Sequence, residues 1–341
     1  MNNKWKNIVI GALALVAGTT FAADRVRVGY LAEPAHGLHF IAREKGFFAE
    51  EGIEVELFQF STTAEGCAAV KARKLDVGTF GTAAPLLFIA RGSDFTIFGG
   101  MMIGGQAIIV KPENAGKFRD LTNFKGKKVG LGKLSTGDVI FRGALKQAGL
   151  EPGRDLQIIE FGGQGAVVEA VRKGAVDAGI VFSPHFSLAE KNYGLVVSNY
   201  IADFQPAYTC CRLIANTDDL QKQRDVYRRY LIAEIRAYKF YRENQEETVG
   251  IFAKSFKLDP EIVRADTYTD KTFESNPDPL KKGTADFWNT MNGIGYLPEN
   301  HVDIERHIDP TIYREALDEV LKRYPDDPVY REMDAFFKAN N

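Results

Sequence analysis

The sequence predicts an α/β fold of two similar lobes, each a mostly parallel sheet flanked by helices. The first observation behind this prediction is an internal repeat, in which Val70–Ala83 resembles Val171–Pro184 at an offset of 101 residues. The same offset places Val28–Tyr30 on Val129–Leu131. A repeat of this length is too long for a solenoid unit and suits a duplicated α/β domain.

The second observation is that short apolar strands alternate with amphipathic helices in both copies of the repeat. The elements predicted in the first copy are Val26–Tyr30, Phe40–Glu51, Glu54–Phe58, Ala64–Arg73 and Val77–Phe80. Those predicted in the second copy are Lys128–Leu131, Asp138–Ala148, Leu156–Phe161, Ala166–Lys173 and Ala178–Phe182. This alternation is typical of parallel strands whose sheet is covered by helices on both faces.

The third observation concerns the loops that follow the predicted strands, because open α/β sheets bind ligands outside the carboxyl ends of their strands. These loops are small or polar in both copies: Ala32-Glu33, Ser61–Thr63, Gly81-Thr82, Lys133–Thr136, Gly162–Gln164 and Ser183–His185. Such residues are also common in ordinary loops, where they cap helices. Because the same loops recur in both copies, we expect them to face each other across one cleft.

Length and charge limit the class of partner. The chain has 341 residues, of which 45% are apolar and 26% charged, as is usual for a globular protein with two domains. The formal net charge is −2, and it becomes −4 without the first 22 residues, which carry two lysines and no acid. This charge gives no general electrostatic basis for binding nucleic acid or an anionic membrane. We therefore expect no nucleic acid partner.

Three cysteines give no sign of a disulfide framework. Cys67 stands alone in a predicted helix, and Cys210 and Cys211 are adjacent, a spacing that rarely allows disulfide geometry. Neither spacing matches a zinc site. We expect all three to be small buried residues.

The N-terminus has the pattern of a secretory signal peptide. Lys4 and Lys6 precede the apolar stretch Ile8–Val16, and Thr20–Ala22 ends in the small residue that signal peptidase requires. We predict cleavage after Ala22. An uncleaved membrane anchor is the alternative, but the apolar stretch is short for a membrane span. A signal peptide that is not followed by a lipoprotein cysteine indicates a free periplasmic protein.

Several ordered segments carry a family resemblance. They are Gly29-Tyr30, His36–Leu38, Ala42–Phe48, Glu51–Val55, Lys74–Gly78, Asp120-Leu121 and Phe124–Gly130. In order and spacing they resemble periplasmic substrate-binding proteins of ABC importers, in the branch that binds sulfonates, taurine, nitrate or thiamine precursors. The resemblance covers essentially the whole chain after the signal peptide.

The resemblance implies a two-lobed type II periplasmic-binding-protein fold in which the chain crosses between the lobes twice. We place the outgoing crossover in Ala107–Lys111 and the return in Tyr208–Leu213. Lobe I is then 23–108 plus 212–341, and lobe II is 109–211. The family also implies a small-molecule ligand, an inner-membrane ABC permease as partner, and a monomer.

Beyond the return crossover the pattern is helical. A long helix is predicted over Asp219–Arg242, with an aromatic stripe that we assign to the core because it has the helical period. Further helices are predicted over Glu243–Phe256, Asp259–Ala265, Phe287–Gly293 and Pro310–Lys322. The charged tail Asp326–Asn341 is expected to be peripheral.

Catalytic and cofactor motifs are weak in this sequence. The serines and histidines are too scattered for a triad, and His36 with His39 is a poor metal signal without further ligands. Gly130–Gly132 lacks the third glycine of a dinucleotide fingerprint, and Gly132–Gly137 has its lysine in the wrong place for a phosphate-binding P-loop. We expect no cofactor, no metal and no enzymatic activity.

The candidate ligand site combines loops from both copies. Ser135 and Thr136 open a helix after a strand, where free N–H groups favour an anion, although Ser135 also suits a simple N-cap. Arg212 could pair with a carboxylate or sulfonate, or brace the hinge. Tyr30, Phe80, Phe182 and Tyr208 could supply aromatic walls. The candidate ligand-binding residues are Tyr30, Glu33, His36, Thr62, Thr63, Gly81, Thr82, Ser135, Thr136, Gln164, Ser183, His185, Tyr208 and Arg212.

These expectations together describe the periplasmic solute-binding component of an ABC importer. Its expected ligand is a small organic anion of the sulfonate or carboxylate class, bound between the lobes. The alternatives are a binder of pyrimidines or other aromatic ligands, an enzyme similar to thiamine-pyrimidine synthases, and a ligand-sensing subunit for a membrane receptor.

Overall fold

The structure is a computed structural model that describes residues 23–270, 272–299 and 301–341. The predicted signal peptide and its cleavage point after Ala22 lie outside these residues. Within the described ranges, every helix is too short or too polar to cross a membrane.

Strands and helices of the described residues follow one another in the order that an α/β fold requires. The strands are β1 Asp24–Leu31, β2 Ile53–Phe60, β3 Val77–Phe80, β4 Phe95–Gly100, β5 Met102–Gly104, β6 Gln106–Val110, β7 Lys128–Gly132, β8 Gln157–Phe161, β9 Ala178–Phe182, β10 Val196–Tyr200, β11 Arg212–Asn216 and β12 Phe273–Ser275. The helices are α1 Leu38–Glu44, α2 Phe47–Glu50, α3 Thr63–Lys71, α4 Ala83–Ala90, α5 Thr136–Gln147, α6 Gln164–Lys173, α7 His185–Tyr193, α8 Thr217–Lys222, α9 Arg224–Glu243, α10 Gln245–Phe256, α11 Pro260–Arg264, α12 Lys281–Gly293, α13 Thr311–Arg323 and α14 Pro328–Asn340.

Two five-stranded sheets form the centres of the two lobes. The first sheet has the order β2-β1-β3-β11-β4, and the second has the order β10-β6-β9-β7-β8. In the first sheet only β11 runs against its neighbours, and in the second only β6 does. These are the strands that enter each sheet from the other lobe. The expected α/β fold with two crossovers is therefore confirmed.

Equivalent strands of the two sheets pair in equivalent registers. Val28 of β1 lies opposite Val77 of β3, and Val129 of β7 lies opposite Ala178 of β9. Each residue of the second pair lies 101 residues after its counterpart in the first pair, which is the offset of the sequence repeat. The central strands are buried on both faces, as expected when helices cover a parallel sheet on both sides.

Two predicted helices are each divided in the structure, so their predicted lengths were wrong. The helix predicted over Phe40–Glu51 is interrupted at Gly46, whose φ of 75° lies in the left-handed region that glycine adopts without strain. The helix predicted over Asp219–Arg242 is interrupted at Gln223, where ψ is 30°. Hydrophobic periodicity continued across both breaks and did not reveal them.

The C-terminal tail was expected to be peripheral, and this was wrong. It forms α14, which begins at an Asp327 cap that accepts hydrogen bonds from Val329 and Tyr330 N–H groups. Val329, Tyr330 and Met333 are buried. The charged residues between them occupy the other face of an amphipathic helix, which explains why composition alone suggested a peripheral segment.

The aromatic stripe of α9 belongs to the core, as predicted, and it also carries a buried polar network. The Tyr230 hydroxyl lies 2.9 Å from His39 Nδ1, and Glu234 Oε1 lies 2.6 Å from the same nitrogen. His39 Nε2 lies 2.7 Å from Thr79 Oγ1 on β3. This network ties α1 and α9 to the first sheet, and it assigns His39 a structural role.

The connections between the lobes are held together by Arg212. Its side chain is fully buried and donates from Nε to Cys210 O, from Nη1 to Asp278 O and from Nη2 to Met102 O, at 3.2, 2.6 and 2.6 Å. These carbonyls belong to the return connection, to the segment after β12 and to β5. We call these three segments the hinge. Burial lowers the pKa of the Arg212 guanidinium to about 10, so it is charged at neutral pH.

Replacing Arg212 by methionine should strongly destabilise the protein. Methionine fills a similar volume but removes three hydrogen bonds from a charged donor, each of which contributes roughly 1.5–3 kcal/mol. Cys210 O and Met102 O keep a second donor, from Thr82 and from Cys210 N respectively. Urea unfolding of the wild type and of Arg212→Met should therefore show a loss of several kcal/mol. Arg154→Met is the matched control, because Arg154 is exposed and its change should be small. Equal unfolding midpoints for Arg212→Met and the wild type would exclude the proposed bracing role.

A pair of glycines offers a second test of the packing. A Cβ added at Gly37 would lie 2.0 Å from the buried ring of Phe252, whereas a Cβ added at exposed Gly250 meets nothing within 4 Å. Gly37→Ala should cost about 1–3 kcal/mol through overpacking between α1 and α10. Gly250→Ala should stabilise α10 by up to about 1 kcal/mol, because alanine is the better helix former. Thermal unfolding of the two variants should shift in opposite directions.

Candidate functional site

A cavity of about 90 Å³ lies where the carboxyl ends of strands from both sheets meet. Leu31 ends β1, Gly132 ends β7, Phe161 ends β8 and Phe182 ends β9, while Ser61 follows directly on β2. The complete lining is Leu31, Ser61, Thr62, Thr63, Gly132, Lys133, Ser135, Phe161, Gly162, Gly163, Gln164 and Phe182. Both lobes contribute, as the position of ligand sites in open α/β sheets predicts.

Three helices begin at this cavity. They are α3 after Thr62, α5 after Ser135 and α6 after Gly163, and all three of these N-cap residues line the cavity. The first N–H groups of a helix have no partner within the helix, and the helix dipole adds partial positive charge at the same end. Three N-termini at one cavity therefore form a surface that favours an anion.

The three N-cap residues differ in whether their side chains accept hydrogen bonds from the helix N–H groups. Thr62 Oγ1 accepts a hydrogen bond from Glu65 N at 3.3 Å, and Ser135 Oγ accepts one from Asp138 N at 3.2 Å. Gly163 provides no side-chain cap for α6. The sequence left open whether Ser135 is a cap or a ligand contact, and in the structure it is a cap that also lines the cavity.

The remaining lining groups combine one charge with apolar walls. Lys133 is the charged residue of the lining, and its Nζ lies 3.0 Å from Glu160 Oε2. Leu31, Phe161 and Phe182 supply apolar surface. The arrangement suits a ligand with an anionic group and an apolar body.

Gln164 connects two parts of the cavity wall. Its Oε1 accepts a hydrogen bond from Phe182 N at 3.3 Å, and its amide nitrogen faces Gly132, where an added Cβ would lie 3.2 Å away. With its oxygen occupied by the protein, the amide group is left to donate. This orientation again favours an acceptor, such as an oxyanion, as the ligand group.

Four of the fourteen candidate residues line the cavity: Thr62, Thr63, Ser135 and Gln164. The others lie beneath it or to one side: Tyr30, Glu33, His36, Gly81, Thr82, Thr136, Ser183, His185, Tyr208 and Arg212. Tyr30 packs edge-on against Phe40, with ring centroids 5.1 Å apart. Of the four proposed aromatic walls, Phe182 lines the cavity.

Glu33 and His36 form a buried pair beneath the cavity. His36 Nδ1 accepts a hydrogen bond from Leu31 N at 3.0 Å, and Nε2 lies 3.1 Å from Glu33 Oε1. Burial raises the pKa of the Glu33 carboxyl well above its usual range and lowers that of His36. Burial therefore favours the neutral form of both groups, and a neutral pair adds no buried negative charge that would repel an anion.

The sulfur of Cys211 completes a group with Glu33 and His36 whose donor atoms lie within 4.8 Å of one another. Such a set could in principle hold a metal ion. However, the Leu31 N–H bond to Nδ1 places the ring proton of neutral His36 on Nε2, the nitrogen that faces the group. A metal ligand needs a free lone pair at that atom, so this hydrogen bonding does not fit metal binding.

A second buried layer joins the lobes below the cavity. Thr82 donates to Cys210 O, and the Tyr208 hydroxyl donates to Gln106 Oε1 at 2.8 Å. Gly81 lies against Thr136 of the other lobe, since an added Cβ would be 3.3 Å from its Oγ1. These candidates support the site from beneath.

Ser183 and His185 lie at the start of α7. Ser183 Oγ donates to Asp266, whose other oxygen accepts from Ser187, so the serine is not paired with a histidine as a nucleophile would be. Burial lowers the pKa of His185 to about 4, and its ring lies 5.2 Å from that of Phe182. His185 thus supports a cavity wall in its neutral form.

The cavity lining and the candidate set share most of their loops but differ in their residues. Leu31, Ser61, Gly132, Lys133, Phe161, Gly162, Gly163 and Phe182 line the cavity without having been in the candidate set. A signal for them was present, because each ends a predicted strand or belongs to the loop that follows one. The candidate set favoured reactive side chains, whereas much of the lining consists of small residues that contribute backbone groups.

Comparisons with known proteins agree with this architecture. A protein of Brucella abortus (strain 2308), named as a binding protein, is 27% identical over 293 residues, which cover 84% of this chain and 89% of the relative. The 4-amino-5-hydroxymethyl-2-methylpyrimidine phosphate synthase of Uromyces fabae is 28% identical over 165 residues, which cover 47% of this chain and 46% of the synthase.

Two solved structures have the same fold. The nitrate-binding protein NrtA of Synechocystis PCC 6803 matches with a TM-score of 0.77 and 18% identity, over 94% of this chain and 99% of that one. The aliphatic sulphonate-binding protein SsuA of Escherichia coli matches with a TM-score of 0.71 and 20% identity, over 84% of this chain and 92% of that one. At these identities the similarity establishes the fold.

The family is established by a model that spans more than half of the chain. Residues 22–254 match it, and they include both sheets and all of the cavity lining. The chain belongs to the NMT1-like family.

Proposed function

We propose that this protein is the periplasmic substrate-binding component of an ABC import system and that it binds a small organic anion of the sulfonate or carboxylate class. The observation that carries the proposal is the meeting of three helix N-termini at a cavity shared by both lobes. The nitrate-binding and sulphonate-binding proteins of the same fold support an anionic ligand.

The size and surface of the cavity favour an anionic head group with an apolar remainder. A volume of about 90 Å³ has room for a few heavy atoms, such as a sulfonate or carboxylate group. Phe161 and Phe182 would then contact the apolar part. The same two rings could stack on a pyrimidine or another planar ligand, which is the alternative ligand class.

A larger cavity of about 630 Å³ elsewhere is a weaker candidate. It lies between the end of α5 and Gly293, and its basic side chains already have partners. Lys146 donates to Gly293 O, and Arg154 pairs with Glu151. The small cavity between the sheets has the unused donors that the large one lacks.

We propose that ligand binding works by closing the two lobes. A ligand that touches loops of both lobes binds the closed form better than the open form and shifts the population towards it. We place the lobe boundaries at 23–108 plus 212–341 and at 109–211, although β6 already joins the second sheet at Gln106. The hinge around Arg212 connects the two parts.

The closed protein would then dock as a monomer on an inner-membrane ABC permease, with the signal peptide directing it to the periplasm. We propose no catalytic role, because Ser183 donates to Asp266 and the buried Glu33–His36 pair is not part of the cavity lining. A ligand-sensing subunit for a membrane receptor would use the same closure, and the partial match to a pyrimidine phosphate synthase keeps enzymatic chemistry as a testable alternative.

A thermal-shift panel tests the ligand class. The protein without residues 1–22 should be stabilised by a sulfonate or carboxylate but not by the matching neutral alcohol or amine. A ligand present at about 100 times its dissociation constant adds roughly 2.7 kcal/mol to the free energy of unfolding. Nitrate, sulfate, pyrimidines and aromatic acids complete the panel. Stabilisation by an uncharged pyrimidine alone would replace the organic anion with the alternative class.

A matched pair of lysine variants tests the site. Lys133→Gln should weaken binding of the best anion roughly two- to five-fold, the range expected for one partly exposed charge. Lys173→Gln removes the same charge from the far end of α6, so the affinity should be unchanged. Isothermal titration calorimetry of both variants makes the comparison. Equal affinities would place the anion outside this cavity.

A further inference from the structure

Two adjacent thiols lie in the hinge, outside the lining of the cavity. Cys210 and Cys211 are each 2% exposed, and their Sγ atoms are 3.8 Å apart. A disulfide needs a separation of about 2.05 Å. The two sulfurs are therefore already close to van der Waals contact.

The backbone of this pair holds the return connection against β5. Cys210 N donates to Met102 O at 3.3 Å, and Met101 N donates to Cys211 O at 3.0 Å. Thr209, just before the pair, forms a bridge with Ile103. Any change in the Cys210–Cys211 peptide therefore acts on the segment that connects the lobes.

Groups from both lobes are bonded to Cys210. Thr82 of the first sheet's lobe and Nε of Arg212 both donate to Cys210 O. Gln106, which begins the second sheet at β6, directs its Nε2 to Cys210 Sγ at 3.4 Å. The carbonyl and the sulfur of one residue thus link the two lobes in the arrangement seen here.

A disulfide between neighbours must distort the peptide that joins them. Their Cα atoms are about 3.8 Å apart across a trans peptide, whereas ordinary disulfides need about 4.4–6.8 Å. The small ring forces the peptide plane to twist, and the carbonyl of that peptide is Cys210 O. Its bonds with Thr82 and Arg212, and the sulfur contact with Gln106, cannot all survive.

We propose that Cys210 and Cys211 form a reversible disulfide that opens the hinge and weakens ligand binding. The position of the disulfide is inferred from the distance between the two sulfurs and from the hydrogen bonds of Cys210. The effect of the disulfide on affinity rests on the proposed binding function. The oxidant is a small disulfide, such as oxidised glutathione, that reaches the pair when the lobes are apart. Strained disulfides are also the readily reduced ones, which makes the modification reversible.

The thiol–disulfide exchange takes place in two steps. The Cys210 thiolate attacks one sulfur of the small disulfide, which forms a mixed disulfide and releases one thiolate. The Cys211 thiol then loses its proton to a released thiolate and attacks Cys210 Sγ, which expels the second thiolate. Two protein thiols and one small disulfide become one protein disulfide and two small thiols. Burial raises the pKa of the Cys210 thiol, but its neighbours Cys211 and Thr136 are foremost among the groups that lower it to about 7, which favours it as the attacking sulfur.

Intact mass spectrometry tests the modification without any ligand. The protein lacking residues 1–22 is reduced, treated with oxidised glutathione, and measured denatured. We expect the loss of two hydrogens in the monomer, reversed by dithiothreitol. Cys67→Ser should behave as the wild type, because Cys67 lies buried in α3. Cys210→Ser and Cys211→Ser should lose no hydrogens. Should these variants fail to fold, a digest of the oxidised wild type locates the bond.

Three outcomes of the mass measurement would contradict the proposed disulfide. They are an unchanged mass under oxidation, a bond that includes Cys67, and covalent dimers in place of an internal bond.

Hydrogen exchange tests the structural effect in the same samples, again without ligand. The amides of Met101 and Cys210 are bonded across the hinge, so they should exchange at least several-fold faster after oxidation. Unchanged exchange across residues 99–104 and 209–213 in the fully oxidised protein would show that the disulfide does not open the hinge.

The effect on affinity is measured with the anion that the thermal panel selects. Its dissociation constant should rise on the order of tenfold on oxidation, within the usual range of coupling between sites, and Cys211→Ser should show no redox dependence. Equal affinities in the two redox states would exclude the switch while leaving the binding function intact. If no panel anion binds the reduced protein, the proposed binding function fails, and the mass and exchange results alone decide the hinge proposal.

Discussion

The guanidinium of Arg212 is the interaction on which the arrangement of the lobes depends. A buried charge is costly unless every donor is used, and here the donors go to carbonyls from three separate segments. Those segments are the two connections between the lobes and the chain that follows β12. Because their carbonyls share one donor group, their positions are fixed relative to one another. The proposed closure of the lobes would then turn about a point that is itself well bonded.

The site follows from that arrangement and from the geometry of parallel strands. All strands of a parallel sheet end on the same edge, and the helices that return from those ends begin there. When two such sheets face each other, strand ends and helix N-termini from both meet in one place. In this protein the result is a cavity lined by Thr62, Ser135 and Gly163 at the starts of three helices. The proposed affinity for anions would derive mainly from backbone dipoles and one lysine rather than from a cluster of charged side chains.

The polar residues beneath the cavity have a different role from the residues that line it. Burial favours the neutral forms of Glu33 and His36, while Thr82 and Tyr208 bond the layer on which the cavity rests. A neutral support avoids a buried charge that would compete with the ligand. The same layer contains the two adjacent thiols, so the chemistry of the hinge lies directly below the ligand site. In the proposed switch, ligand binding and hinge geometry are coupled through these shared hydrogen bonds rather than through a distant path.

The sequence by itself determined the duplicated α/β architecture, because a 101-residue repeat and the alternation of strand and helix periods depend only on local order along the chain. It also located the loops at the strand ends, and the aromatic core of α9. Only the tertiary structure decided between the two roles that the sequence left open for Arg212, in favour of bracing the hinge, and showed that Lys133 and Phe161 line the cavity. It also decided that the charged tail packs as α14. The physical reason is that a side chain's partners are set by how the two sheets and their helices pack together. Residues such as Arg212 and Asp278 are far apart in the chain, and local periodicity carries no information about their contact.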